Sequence, residues 1–456
     1  MLFQSQFFIL VFLPLAIFAY YAASGRTYVR QTVLIAASLF FYGWWDIRFI
    51  PLLAGQIGVT WLLALLAART NNKLFLFTGI FVNLMSLGTF KYFDFIIKTL
   101  EAISGVTLPH ANFVLPIGIS FFSFQLISYL ADRLRNDAPI YPFRPFALFV
   151  MFFPHLIAGP IVRHNELIPQ FAEDPRGPGL WRRISVGLIL FTLGFAKKVL
   201  LGDVLAGTVN KVFSDASTRA LDFGEAWTGA LGFSFQLFLD FSAYTEMAIG
   251  IALLFGLVLP ENFRRPYLAS DLGDFWRRWH ISLSRFMRDY LYIPLGGSRA
   301  GWFRYVVAAM ITMGLCGLWH GAGWTFVVWG LWHGVGLIVC RAWQSMMRPM
   351  PGILSWGITM LFVLAGWVLF RAADIGTAMS VLGSLAGLRG IGGSLQEIPL
   401  LATAAAVSVL VPSAHEIRES VLKPQPLVAA IAAVVALICI FRVGKEELIP
   451  FIYFQF

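Results

Sequence analysis

Apolar runs of roughly membrane length alternate with short polar connections along almost the whole chain. The runs cover 7–23, 31–45, 49–68, 74–90, 113–131, 184–202, 226–258, 305–319, 324–340, 352–370, 398–411 and 426–441. About 20 helical residues cross the hydrocarbon core of a bilayer. The pattern therefore predicts an all-α polytopic integral membrane protein with about 11–12 transmembrane helices, in one membrane-embedded domain over 1–456. A further run, 146–162, is interrupted by Pro154, Gly159 and Pro160. It reads as re-entrant, because broken helix at membrane depth is tolerated where protein buries it. The most polar segment is 261–304, whose Phe275, Trp279, Phe286 and Tyr290 recur at helical spacing among arginines. That predicts a basic amphipathic helix from about Leu272 to Tyr290, lying along the membrane surface and ended by Pro294 and Gly296-Gly297.

Composition agrees with the pattern. Hydrophobic residues make up 58% and charged residues 13%, about half the charge of a soluble domain. The N-terminal run lacks a basic leader and a clear cleavage site, so a retained first helix is expected. Cys316, Cys340 and Cys439 all lie in apolar runs and suggest packing residues rather than disulfides or metal ligands. The net charge of +10 reflects placement, not nucleic-acid binding: alternate connections carry 23 Lys and Arg on one side and 9 on the other. The positive-inside rule then puts 261–304 in the cytoplasm and both termini outside. Lys197 and Lys198 fall inside a span and must snorkel or face protein.

The candidate chemistry is histidine chemistry. His110 and His415 lie in connections and read as surface residues; His155 and His164 flank the interrupted run, where local structural roles are favoured. His280 sits in FWRRWHISLSRF, His320 in GLWHGAGWTF and His333 in WGLWHG. An ionisable residue in a membrane span is costly to desolvate and marks a functional site by default. A neutral imidazole bonded to a neighbouring helix is the other reading, preferred for His333. Glycines at 317, 321 and 323 would let other backbone or a substrate approach closely beside His320, and Trp319 and Trp324 would give it flat apolar walls. No Gly-x-Ser-x-Gly elbow, phosphate loop, His-Glu-x-x-His or cysteine pair competes with it. A lone imidazole suits general-base chemistry on a substrate hydroxyl.

Six stretches carry a family resemblance: LPIGISFFSFQLISYLADRLR (115–135), FFPHLIAGPIVRHNELIPQF (152–171), QLFLDFSAYTEMAIGIALLFG (236–256), PENFRRPYLASDLGDFWRRWHISLSRFMRDYLYIPLGGSR (260–299), GLWHGAGWTFVVWGLWHG (317–334) and the final FIYFQF. With these the chain resembles the membrane-bound O-acyltransferases, in particular the branch that O-acetylates alginate, which is related to the D-alanyl transfer protein of teichoic acids. The resemblance implies an essential histidine at His320 and a second signature histidine at His280, in a fold with funnels from both faces and re-entrant helices around the site. It also implies passage of an acyl group to an extracytoplasmic polysaccharide, usually with a partner protein. Glu246 stands where the family pattern has Asp, and Cys316 where relatives often have Gly.

The expected function is thus O-acyl transfer, with acetyl as the expected group and an acyl thioester (acetyl-CoA or a carrier-protein phosphopantetheine) as substrate; no bound cofactor and no metal are expected. His320 would be the base and His280 a donor-side or proton-handling residue. Trp276, Arg277, Arg278 and Trp279 could shape a cytoplasmic funnel, and Gln125, Asp240 and Ser242 could line the tunnel. Lipid-headgroup contact explains those arginines equally well, and helix-to-helix hydrogen bonds explain the three polar residues. The expected partners are membrane lipid, the cytoplasmic donor and an extracytoplasmic SGNH-type acetyltransferase. D-alanyl transfer to teichoic acid is the rival within the class. A transporter using buried His, Asp240 and Glu246 is the rival outside it, and the lack of inverted repeats weighs against that one.

Overall fold

A computed structural model describes the whole chain apart from residues 300, 347–349, 422–424, 446–447 and 455–456, and apart from the side chains of 420 and 421. The last two residues of the FIYFQF motif thus lie outside the described residues. The protein is all-α, with no strand among the described residues. Among the described residues eight helices are long and apolar enough to cross a membrane: Ile47–Thr70, Leu74–Ser104, Leu180–Ala216, Phe223–Leu254, Trp302–His320, Trp324–Ser345, Gly352–Arg371 and Pro426–Val443. Phe8–Ala22, Ile375–Leu385 and Ile398–Leu410 are shorter apolar helices. The apolar runs 31–45 and 113–131 fall on helices of 17 and 16 residues, Thr27–Gly43 and Ile119–Leu134.

Two of the polar connections between apolar runs contain helix. Much of 203–225 is the helix Asp203–Ala216, continuous with the preceding span, and 371–397 contains the helix Ile375–Leu385. Hydropathy ends an apolar run where polar residues begin, but helix continues through Asp203, Asn210 and Lys211 because nothing there breaks the backbone ladder. Two long helices carry π-turns, at Gly88–Tyr92 and Lys197–Gly202. Such turns insert one residue into the α-helical repeat and cluster at functional positions.

The chain divides into two compact units. The first comprises Met1–Thr192, Thr245–Pro260 and Pro424–Leu448. Here the interrupted run is the helix Phe143–Met151, a break at Phe152 (φ −56°, ψ 110°) and the single turn Phe153–Leu156. Every residue from 146 to 162 is buried. At the break the Phe153 N–H donates to Ser38 Oγ at 3.1 Å, so protein supplies the partner that the broken ladder loses.

The second unit comprises Leu193–Tyr244, Glu261–Lys423 and Ile449–Phe456. Its centre is the hairpin of Trp302–His320 and Trp324–Ser345. A Cβ on Gly317 would stand 2.1 Å from the Phe326 carbonyl oxygen, and one on Gly330 would stand 2.1 Å from that of Met313. These glycines let the two backbones touch, which is how apolar helices associate where lipid competes for every larger side chain. Gly317 therefore serves helix packing, and the Gly321 Cα is covered by the Phe326 ring, so neither opens space for a substrate.

The amphipathic segment departs from its expected form. Two short helices, Leu272–Arg278 and Ile281–Met287, replace the single helix, followed by a π-turn at Arg288–Tyr292. The interruption is His280, in the left-handed region at φ 41°, ψ 54°. Phe275, Trp279, Leu283 and Phe286 are buried against protein, not laid on the membrane surface. Hydrophobic spacing could not show this, because the residues before and after the kink are apolar at similar intervals.

Candidate functional site

The site grows from two chain breaks in the second unit. His320 is the last residue of its helix, which ends where Gly321 turns to extended backbone at φ −157°. The left-handed conformation of His280 costs a non-glycine residue about 1–2 kcal/mol, so its surroundings must hold it. Asn262 does much of this: its carbonyl accepts from the Ile281 N–H at 3.0 Å, and its Oδ1 accepts from the Ser282 N–H and hydroxyl at 3.2 and 2.6 Å. Strain of this kind, maintained by surrounding bonds, clusters where side-chain direction matters.

The two imidazoles meet. Their ring centres are 6.2 Å apart, and the Trp319 ring lies 5.8 Å from His280 and 4.9 Å from His320. Around His320 stand Trp329 at 5.1 Å, Phe370 at 5.3 Å and Tyr453 at 5.7 Å. His280 packs on Phe241 at 4.7 Å and faces Tyr453 at 6.2 Å. His280 is fully buried, and neither of its ring nitrogens has a hydrogen-bond partner among the described residues. Burial pushes its pKa down to about 3, so the ring is neutral.

From His320 the aromatic wall runs on through Trp329 to His333, 4.9 Å from Trp329 and 5.3 Å from Trp276. Both His333 nitrogens and the indole N–H groups of Trp276 and Trp329 are buried without hydrogen-bond partners among the described residues. Buried polar atoms are normally paired, and a cluster that is not has to be explained. Beyond His333 lies Phe362, 5.6 Å from it, which also lines an apolar cavity of about 750 Å³ with Leu272, Val339, Cys340, Trp343 and Ser355.

The other sequence candidates are dispersed. Trp279 is buried beside Trp367 at 4.8 Å, one layer from His333. Arg277 and Arg278 lean on Asp274 at 3.7 and 2.9 Å, with Arg277 largely in the open. Trp324 is 54% exposed and gives His320 no wall. Gln125 belongs to the first unit, its Nε2 3.1 Å from His155 Nδ1. Ser242 bonds back to the Leu239 carbonyl at 3.5 Å. Asp240 holds Lys198 at 2.6 Å and so answers how that lysine is buried. Tyr453, Asn262, Trp329 and Phe370 are the site residues that sequence reasoning did not single out. Tyr453, Asn262 and Trp329 carried a signal, since each lies in one of the family stretches; Phe370 lies in none of them.

Among the described residues no group of three or more His, Cys, Asp or Glu is placed to hold a metal ion. What the pocket offers is two juxtaposed imidazoles, unpaired N–H donors and a wall of aromatic rings. That is equipment for proton transfer on a substrate kept from water.

Comparison with known proteins points the same way. The family model for MBOAT, the membrane-bound O-acyltransferase family, matches residues 39–374. The peptidoglycan O-acetyltransferase of Helicobacter pylori is 40% identical over 86% of this chain and 81% of its own length. A probable alginate O-acetylase of Pseudomonas putida is 41% identical over 84% of this chain and 80% of its own. A teichoic acid D-alanyltransferase of Bacillus subtilis is more distant, 29% identical over 58% of this chain and 70% of its own.

Proposed function

The chain belongs to the membrane-bound O-acyltransferase family, and from that premise we propose that it passes an acetyl group across the bacterial inner membrane for O-acetylation of an extracytoplasmic polysaccharide. His320 takes the proton of an acceptor hydroxyl. The hydroxyl oxygen attacks the carbonyl of an acyl thioester, the C–S bond breaks, and the departing thiolate takes the proton from His320, which resets the base. The carrying observation is the pairing of His320 with the buried, neutral His280 at 6.2 Å within the aromatic pocket. A neutral imidazole can accept a proton; an imidazolium cannot. Acetyl is favoured over D-alanyl because the O-acetylating relatives are similar at 40–41% over most of the chain, against 29% for the D-alanyl relative.

The donor, acetyl-CoA or a carrier-bound phosphopantetheine, enters from the cytoplasm, where 261–304 lies and both termini do not. Arg277, little constrained and exposed, suits its phosphates. Outside the membrane the group passes to an SGNH-type transferase; among the described residues the connections between helices are short or partly helical and offer little length for a polymer-binding groove. Reconstitution in liposomes with acetyl-CoA and polysaccharide tests the scheme. Transfer should need both His320 and the second protein; full acetylation by this chain alone would remove the partner. Orientation is tested with single cysteines at the exposed Ser298 and Ser217 and an impermeant thiol reagent on spheroplasts. Labelling should occur at 217 and not at 298; the reverse pattern would invert the scheme.

A further inference from the structure

Lys198 is an ammonium inside a membrane-length helix, yet it is almost wholly buried. Two carboxylates explain how: its Nζ lies 2.7 Å from Asp203 Oδ1 and 2.6 Å from Asp240 Oδ1. The π-turn at Lys197–Gly202 places Lys198 and Asp203 for this. One cation between two anions leaves a negative charge in excess, and an apolar interior does not hold such a group without further donors. One further donor is a backbone N–H. Ile452 N donates to Asp240 Oδ2 at 2.6 Å, while the Pro450 carbonyl accepts from Lys198 Nζ at 3.4 Å. The Phe451 ring lies over the same ammonium at 4.7 Å and edge-on to Tyr244 at 4.5 Å.

Backbone atoms of 450 and 452 are thus gripped from one side, and the residue that follows the grip is Tyr453. Its ring packs on Phe241 at 4.2 Å and faces both His280 and His320. We propose that the Lys198–Asp203–Asp240 triad is an anchor that recognises the backbone of the 449–454 segment and thereby sets Tyr453 as one wall of the pocket. Asp240 and Lys198 are then positioning residues for transfer. This rests on the reading of the His280–His320 pocket as the acyl-transfer site. It reassigns Asp240 from tunnel lining to anchor and accounts for an intramembrane lysine.

The test exploits the charge excess. Asp240→Leu deletes the acceptor of the Ile452 N–H but leaves Lys198 and Asp203 as a balanced pair, so no charge is orphaned. Asp240→Asn keeps an acceptor oxygen at the same place. Each is made in a chain with its three cysteines replaced by alanine and a reporter Ile452→Cys, and is read with a membrane-permeant maleimide alongside acyl transfer. The parent reporter should be shielded. Asp240→Leu should label about tenfold faster, as loss of a hydrogen bond to a charged group implies, and transfer should fall about 100-fold, the effect of a small misplacement in an active site. Asp240→Asn should restore both. Unchanged shielding in Asp240→Leu would overturn the anchor whatever the activity, and faster labelling with full transfer would overturn its positioning role. Because labelling does not depend on turnover, failure of the acyl-transfer reading would leave it intact and be recognised separately. Should Asp240→Leu not accumulate, Ile452→Pro removes the N–H from the other partner and leaves the triad untouched. It should lose transfer at normal protein level, and normal transfer would sink the proposal.

Discussion

His164 in the first unit and His280 in the second are both buried histidines, and they are opposites. Both nitrogens of His164 are engaged: Nδ1 lies 2.9 Å from the Tyr141 hydroxyl and Nε2 3.2 Å from Asp132 Oδ2. Both nitrogens of His280 are unpaired among the described residues, and its backbone is held in a conformation that histidine rarely adopts. The first arrangement spends the imidazole on joining 132, 141 and 164. The second keeps it available. Burial alone does not separate the two histidines; what each ring nitrogen touches does.

Mutations at the two units should break along that line. His320→Ala, beside His280, should show the largest effect, a loss of acyl transfer of about 10²–10⁴-fold, with normal insertion and yield. Polysaccharide acetylation near the parent level would end the assignment of the base. His280→Asn should come next. Asparagine accepts the left-handed backbone, so the fold should persist while transfer drops about 100-fold; a variant that also unfolds would make His280 structural. His164→Gln should invert the result. Transfer should stay within a few-fold, while stability in detergent falls by about 1–3 kcal/mol as Asp132 and Tyr141 lose a buried partner. A large loss of turnover with unchanged stability would erase the contrast.

The smallest effect concerns pH. A histidine held near 3 when folded and near 6.5 when unfolded binds fewer protons in the native state. Its stability contribution is complete above about pH 6.5 and is lost as pH falls from there towards 3. One unit below 6.5 the cost is about 1.4 kcal/mol. Thermal unfolding at pH 5.5 and 7.5 should therefore differ less in His280→Asn than in the parent; an equal difference would place the acid sensitivity elsewhere.

The membrane class and the all-α fold were legible in the sequence, because hydropathy reports depth, and the family motifs singled out the two histidines, His280 and His320, that the fold brings to one pocket. The interruption of the run 146–162 was legible too, since Pro154 and Pro160 disrupt a helix, although the break itself falls at Phe152. What stayed hidden was tertiary. The kink at His280 lies between residues with unbroken helical periodicity, and Asn262 acts on it from 18 positions away. Tyr453 joins the pocket from a distant segment and Trp329 from the facing helix of the hairpin, which no spacing rule connects. The glycines at 317 and 321 marked close approach of backbone or substrate, and the fold shows the backbone and a ring in that place, because a residue without a side chain does not say what approaches.

The π-turn at Lys197–Gly202 makes this helix tolerant of one kind of change and intolerant of another. Removing one of its six residues would let the stretch close into ordinary α-helical repeat while both flanks keep nearly the faces they have, because the turn holds one residue beyond that repeat. A single-residue deletion in an uninterrupted α-helical span would instead turn one flank by about 100° against the other. A scan of single-codon deletions through 197–202 would thus yield chains whose long helix still threads the bilayer in register, yet whose Lys198 and Asp203 have lost the spacing that the extra residue gives them. Here one residue of length serves the ion pair, and the span itself could do without it.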